Sequence, residues 1–133
     1  MYLVDTNVLS EVRRKTPAAM SWMASVDPTA IYISVISLGE IMKGAEMQMD
    51  RDPLFSRRLL NWLDQLHEAY DDRILPVSLD IALGWGRIAA GRSRSAPDAL
   101  LGATARSHNL ILVTRNVRDF WDLPIAVFNP WDP

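Results

Sequence analysis

Cysteine is absent from all 133 residues, which excludes disulfides and thiolate-bound zinc. Histidine is nearly absent too, with only His67 and His108. Any metal held here would therefore rest mainly on oxygen ligands. No apolar run approaches the roughly 20 residues that span a bilayer. The basic-then-apolar opening of a signal peptide is also missing, so a cytoplasmic location with no membrane partner is expected. Charge of one sign is scarce: the net value is −2, and bulk electrostatics offer nucleic acid no broad attraction.

What remains is an ordinary globular composition, 49% hydrophobic and 23% charged. Its length suits one domain, 1–133, with a real core. The basic residues gather locally at Arg13-Arg14-Lys15, Arg57-Arg58 and Arg92-Ser93-Arg94. Each cluster reads first as a solvated helix face or turn, although such clusters can guide a polyanion when the fold sets them beside a site.

The chain turns on its opening, Met1-Tyr2-Leu3-Val4-Asp5-Thr6-Asn7. A short apolar run running into a carboxylate reads as a buried strand with Asp5 at its carboxyl end. Open α/β sheets place their ligands there. Thr6 is then expected to cap a short helix through Val8, Leu9 and Val12. Pro17 suits the first turn of a second helix. Ile31-Tyr32-Ile33 reads as a strand, and Ser34 as the cap of a long helix with its stripe at Val35, Leu38, Met42, Ala45 and Met49, widened by Ile41. Asp52-Pro53 starts another amphipathic helix, and the pair reads as a hairpin projecting from the sheet. Ile74 to Val77 is a short edge segment containing Pro76. Ser78 caps a helix through Ile81, Trp85 and Ile88. The loop Arg92 to Ala96 precedes Pro97, which opens a helix apolar almost all round. Leu110 to Val113 and Ile125 to Val127 are the last strands. Strands alternating with helices give a three-layer α/β fold with a mainly parallel sheet.

Four acids stand where such a sheet gathers side chains: Asp5, Glu40, Asp98 and Asp119. Carboxylates from distant chain segments suit Mg²⁺ or Mn²⁺, which stabilise the oxygens of a phosphodiester under attack. Each acid has a plainer reading as well. Asp98 offsets the positive end of a helix, worth roughly 0.3–1 kcal/mol; Asp119 caps a turn. Glu40 points nearly opposite the apolar stripe assigned to its helix, toward solvent, though Ile36, Gly44 and Met47 give that second face some apolar character. Asp5 is harder to dismiss, since it gives up hydration without an evident local partner.

The stretches Leu3 to Glu11, Ile33-Ser34 through Gly39-Glu40-Ile41 and Gly44, Pro97 to Ala105, Thr114-Arg115-Asn116 with Asp119-Phe120, and Val127-Phe128-Asn129-Pro130-Trp131 together resemble the PIN-domain ribonucleases. Within them the resemblance is to the VapC toxins of type II toxin–antitoxin modules, in the FitB-like branch. It spans essentially the whole chain. It implies a PIN-like α/β/α sandwich and RNA cleavage by a metal-activated water with Mg²⁺ or Mn²⁺. It puts Asp5, Glu40, Asp98 and Asp119 in the acidic pocket as metal ligands, with Thr6, Thr114 and Asn116 orienting carboxylates or water. Asn7 supports the strand end, and Glu11 lies outside the site. It also implies a homodimer and a cognate VapB- or FitA-like DNA-binding antitoxin packing on apolar surface. Met20, Trp22, Met23, Met42, Met47, Met49 and Trp62 supply candidates for that surface, with core packing as the default role for most. Gly102 stands where the family more often has a larger residue.

The rival readings are a receiver-type signalling module and a PIN-like binding module without nuclease activity. A receiver needs paired acids at the first strand and a late lysine. Asp5 has no acidic neighbour, and the last lysine is Lys43. All four matched carboxylates are present, which argues against a module that has lost catalysis.

Overall fold

The computed structural model of the chain describes all 133 residues. Five short strands, β1 (Tyr2–Val4), β2 (Ile31–Ser34), β3 (Ile74–Leu75), β4 (Ile111–Val113) and β5 (Val127–Phe128), form one parallel sheet in the order β3-β2-β1-β4-β5. The first strand made is thus the central one. Leu3 pairs with Tyr32 on one side and with Leu112 on the other. The chain first winds toward β3 and then returns to β4 on the far side of β1, which makes the β1/β4 boundary the switch point of the sheet.

Alternation along the strands divides the core in two. Val4, Ile31, Ile33 and Val113 face one side, against α1 (Thr6–Arg13), α2 (Pro17–Ser25), α3 (Val35–Gln48) and α4 (Pro53–Ala69). Leu3 and Leu112 face the other, with Phe120 and residues Leu101 and Ala105 of α6 (Ala96–Ser107). The helix α5 (Leu79–Gly91) packs against α6. The expected three layers are present.

Ser34, Asp52 and Ser78 cap their helices through side-chain oxygens as the sequence suggests. The first cap differs. It is Asp5, not Thr6, whose carboxylate accepts from the Thr6 N–H, so Thr6 becomes the first residue of α1. The α3 stripe also differs. Ser37, Ile41 and Ala45 are the buried positions, while Val35, Met42 and Met49 are exposed. α4 packs against this face: Leu59 lies in ordinary contact distance, 3.7 Å, of where a side chain on Gly44 would begin, and the Ser56 hydroxyl donates to the Ala45 carbonyl. The α3–α4 pair is the expected hairpin, but Ile41 and Leu66 join the core on the sheet. Its base lies on the sheet's face.

Core packing holds for Trp22, which is buried, but not for Met20, Met42, Met47 or Met49, all exposed; Met47 reaches 66%. The last strand is Val127–Phe128 rather than Ile125 to Val127. Gly102 has a steric reason: a methyl there would come within 2.6 Å of Leu123.

Candidate active site

The carboxyl ends of β1 and β4 bring Asp5 and Thr114 side by side. The Asp5 N–H extends the ladder to the Val113 carbonyl at 2.9 Å. The residue as a whole is 5% exposed. One carboxylate oxygen accepts from Thr6 N at 2.6 Å, and the other accepts from the Thr114 hydroxyl at 2.9 Å and from Asn7 Nδ2 at 3.4 Å. Thr114 Oγ1 in turn accepts from Asn116 N at 3.1 Å and lies 3.4 Å from Asn7 Nδ2. The Asn7 carbonyl oxygen accepts from Arg115 N. Asn7 thus stitches the two strand ends together.

Burial pushes the Asp5 carboxyl up to about 6, against the lowering effect of its bonds to Thr114 and Thr6; the charges of Asp98 and Glu40 push it further in the same direction. Glu40 reaches this neighbourhood because the true buried stripe of α3 turns its face inward. Thr6 Oγ1 donates to Glu40 Oε1 at 2.7 Å, and its one proton being used, it accepts from the Ser37 hydroxyl at 2.8 Å.

Asp98 sits in the first turn of α6, below the Ser95 cap. Its carboxyl is raised, first by burial and then by the charge of Asp119 nearby; Ser95 and Arg94 act the other way. Asp119 ends a short 3-10 turn, Val117–Asp119, tied by its own N–H to the Asn116 carbonyl at 3.1 Å. Asn116 acts here through its backbone, and its side chain is exposed.

The PIN domain profile matches residues 2–124. The chain belongs to the PIN domain family. Toxin FitB of Neisseria gonorrhoeae is 31% identical, the match covering 98% of this chain and 99% of that one. The FitAcB crystal structure from the same organism superposes with a TM-score of 0.86 at 30% identity, covering 100% of both chains. VapC ribonuclease Y4jK of Sinorhizobium fredii is 28% identical over 100% of this chain and 99% of its own. A toxin–antitoxin complex from Klebsiella pneumoniae superposes with a TM-score of 0.76 at 28% identity, again covering 100% of both chains.

In this PIN domain the four acids fall into linked groups rather than one knot. Asp98 feels the charge of Asp119, Glu40 is bridged to α1 by Thr6, and Asp5 feels the charge of Asp98 and Glu40. No three carboxylates converge on one ion-sized point. Magnesium does not require that, since it keeps several waters and is held by one or two carboxylates together with substrate phosphate. The donor set of hard oxygens, with a carboxylate that gives up solvation at its centre, fits such an ion.

Asn7 supports the strand end as expected. Two contributors are not evident from the sequence. Ser37 has a signal only in lying one turn before Glu40. Arg94 differs most, because its cluster reads as a solvated turn. Its side chain is 2% exposed. It donates to the Asp119 carbonyl at 2.6 Å and to both Asp122 carboxylate oxygens, at 3.2 and 2.6 Å. Arg92 likewise turns inward, to the Arg118 carbonyl at 3.1 Å. Glu11 pairs with Arg14 at 3.0 Å and stands 3.9 Å from Arg115.

Proposed function

We propose that this chain is a Mg²⁺- or Mn²⁺-dependent endoribonuclease, the toxin of a toxin–antitoxin module, acting in the cytoplasm. The observation that carries the reading is Asp5, a carboxylate stripped of water at the switch point of the sheet, facing the charges of Glu40 and Asp98. Such an arrangement is costly unless a cation offsets it. The relatives add weight, one being called a ribonuclease and another a toxin. The Klebsiella complex supports an antitoxin partner, and a homodimer goes with the same family reading.

Asp5 and Asp98 would hold the ion directly, with Glu40 and Asp119 acting through its waters; when bound it supplies charge for the phosphate and a more acidic water. Thr114, Thr6 and Asn7 fix the Asp5 carboxylate, so it meets its ligand without reorganising. Thr6 does the same for Glu40. Neither histidine belongs to the hydrogen-bond network described above, and both are ordinary exposed residues.

Purified protein is expected to cleave single-stranded RNA with Mg²⁺ or Mn²⁺ and to stop in EDTA. Asp98→Asn should lower the rate on the order of 10²–10³-fold, the usual loss when one directly acting electrostatic group is removed. Cleavage that survives chelation, or an Asp98→Asn enzyme as active as the parent, would refute the mechanism.

Arg94 acts as a positioning residue for Asp119. Arg94→Ala should reduce kcat on RNA by about 10-fold or more with little change in KM, and raise the Mg²⁺ concentration for half-maximal rate, in line with the roughly 10–100-fold effects of outer-shell partners. Arg94→Lys should recover part of both. An unchanged Mg²⁺ requirement would mean that Arg94 only supports the fold.

A further inference from the structure

Beyond the acids lies a cavity of about 620 Å³, bordered by Asn116, Arg118, Asp119, Phe128 and Asn129, with Arg115 at its edge. Its volume falls in the roughly 300–1,000 Å³ range of small-ligand sites. Another cavity, of about 420 Å³ between α5 and α6, contains none of the four acids. The larger one borders the cluster through Asp119, which lines it.

We propose that this cavity is a nucleotide subsite, holding the RNA residue next to the bond that is cut. The proposal rests on the ribonuclease reading and names where its substrate lies. A chain of net charge −2 with four acids at its centre repels RNA. Screening limits any compensating cation to within about 8 Å at physiological salt. Several basic residues conspicuous in the sequence are engaged elsewhere. Arg13 lies over the Phe55 and Trp62 rings of α4, Arg14 pairs with Glu11, and Arg92 and Arg94 are turned to Asp122.

Arg118 is different. Its carbonyl is pinned by Arg92, while its exposed guanidinium enters no ion pair. A fixed backbone with a free cation, one residue before Asp119, suits a phosphate. Arg115 is held in place, its guanidinium 4.5 Å above the Trp131 ring. Phe128 and Val117 give the cavity apolar surface for a base. The exposed amide of Asn116 offers a donor and an acceptor to a base edge, which is how single-stranded RNA is read. Asp132 also lines the cavity. A carboxylate there disfavours a bare anion and accepts N–H donors that a base presents.

The subsite is tested without metal, by following backbone amides of the whole protein by NMR as AMP or inorganic phosphate is added in EDTA. AMP is expected to shift Asn116, Val117, Arg118 and Asn129 together with the Trp131 indole, and phosphate to shift them far less. Arg118→Ala should weaken binding of a labelled single-stranded RNA 12-mer about tenfold, equivalent to ~1.4 kcal/mol. It should also flatten the salt dependence by about 0.7 in log–log slope. Arg118→Lys should restore both. In cleavage assays Arg118→Ala should raise KM and leave kcat nearly intact. Shifts that map elsewhere, equal shifts with phosphate, or an unchanged RNA affinity in Arg118→Ala would overturn the subsite. A protein that shows these shifts but cleaves no RNA would keep the subsite and sink the nuclease reading instead.

Discussion

Replacing Asp5 by Asn should abolish RNA cleavage and, in the absence of metal, make the protein more stable at neutral pH. The folded carboxyl is raised from 3.8 to about 6, so the folded chain binds this proton more tightly than the unfolded chain does. The resulting stabilisation is fully present below pH 3.8 and is lost as pH rises through about 6. A shift of this size corresponds to about 3 kcal/mol. At pH 7.5 the ionised Asp5 is therefore a burden on the apo protein, which Asn, always neutral, avoids. Thermal unfolding in EDTA is expected to show Asp5→Asn melting several degrees above the parent at pH 7.5, with the gap narrowing as pH falls through about 6 and closing only below 3.8. Mg²⁺ should then raise the parent's melting temperature and not the variant's, as ligand linkage requires. A variant less stable than the parent at pH 7.5 would show that the ionised carboxylate is well hosted and needs no cation.

Phe120→Ala should have the opposite pattern, losing stability first and activity in consequence. Phe120 is fully buried and is among the largest side chains of the core on the α6 side of the sheet. Truncating such a residue costs about 3–5 kcal/mol, a large share of the 5–15 kcal/mol typical of a domain. Its backbone N–H also closes the 3-10 turn onto the Val117 carbonyl at 3.0 Å, directly after Asp119. Denaturant unfolding should show the midpoint falling with the slope unchanged. Residual folded protein should need more Mg²⁺ for activity. A loss below about 1 kcal/mol would mean that Leu123 and Leu101 close over the space, contrary to the usual partial collapse.

Much of this architecture is written in the sequence through local rules. Polar caps at Ser34, Asp52 and Ser78, apolar runs at Leu3 and Leu112, and the nearly all-apolar helix behind Pro97 each announce themselves. Asp5 and Asp98 stand out because strand ends and helix first turns are readable places. Glu40 does not, for a physical reason. Hydrophobicity alone selects Val35, Met42 and Met49 as the inner stripe of α3. The fold keeps Ala45 and Ile41 inside but buries Ser37 in place of Val35, Met42 and Met49, which brings Glu40 to the edge of the buried face. Arg94 is still less legible, since its burial depends on Asp122, 28 residues further on. The Arg118 cavity also needs β5 beside β4, a pairing that no local pattern encodes.

The central place of β1 has a consequence in time. During synthesis Tyr2 to Val4 emerge well before their second neighbour, Ile111 to Val113, which comes more than 100 residues later. Until then one edge of β1 is open, and Asp5 lacks Thr114, which stands 109 residues away. Asp98 and Asp119 are equally late arrivals. A growing chain therefore carries no assembled acidic cluster until the segment holding Asp98, Thr114 and Asp119 has left the exit tunnel.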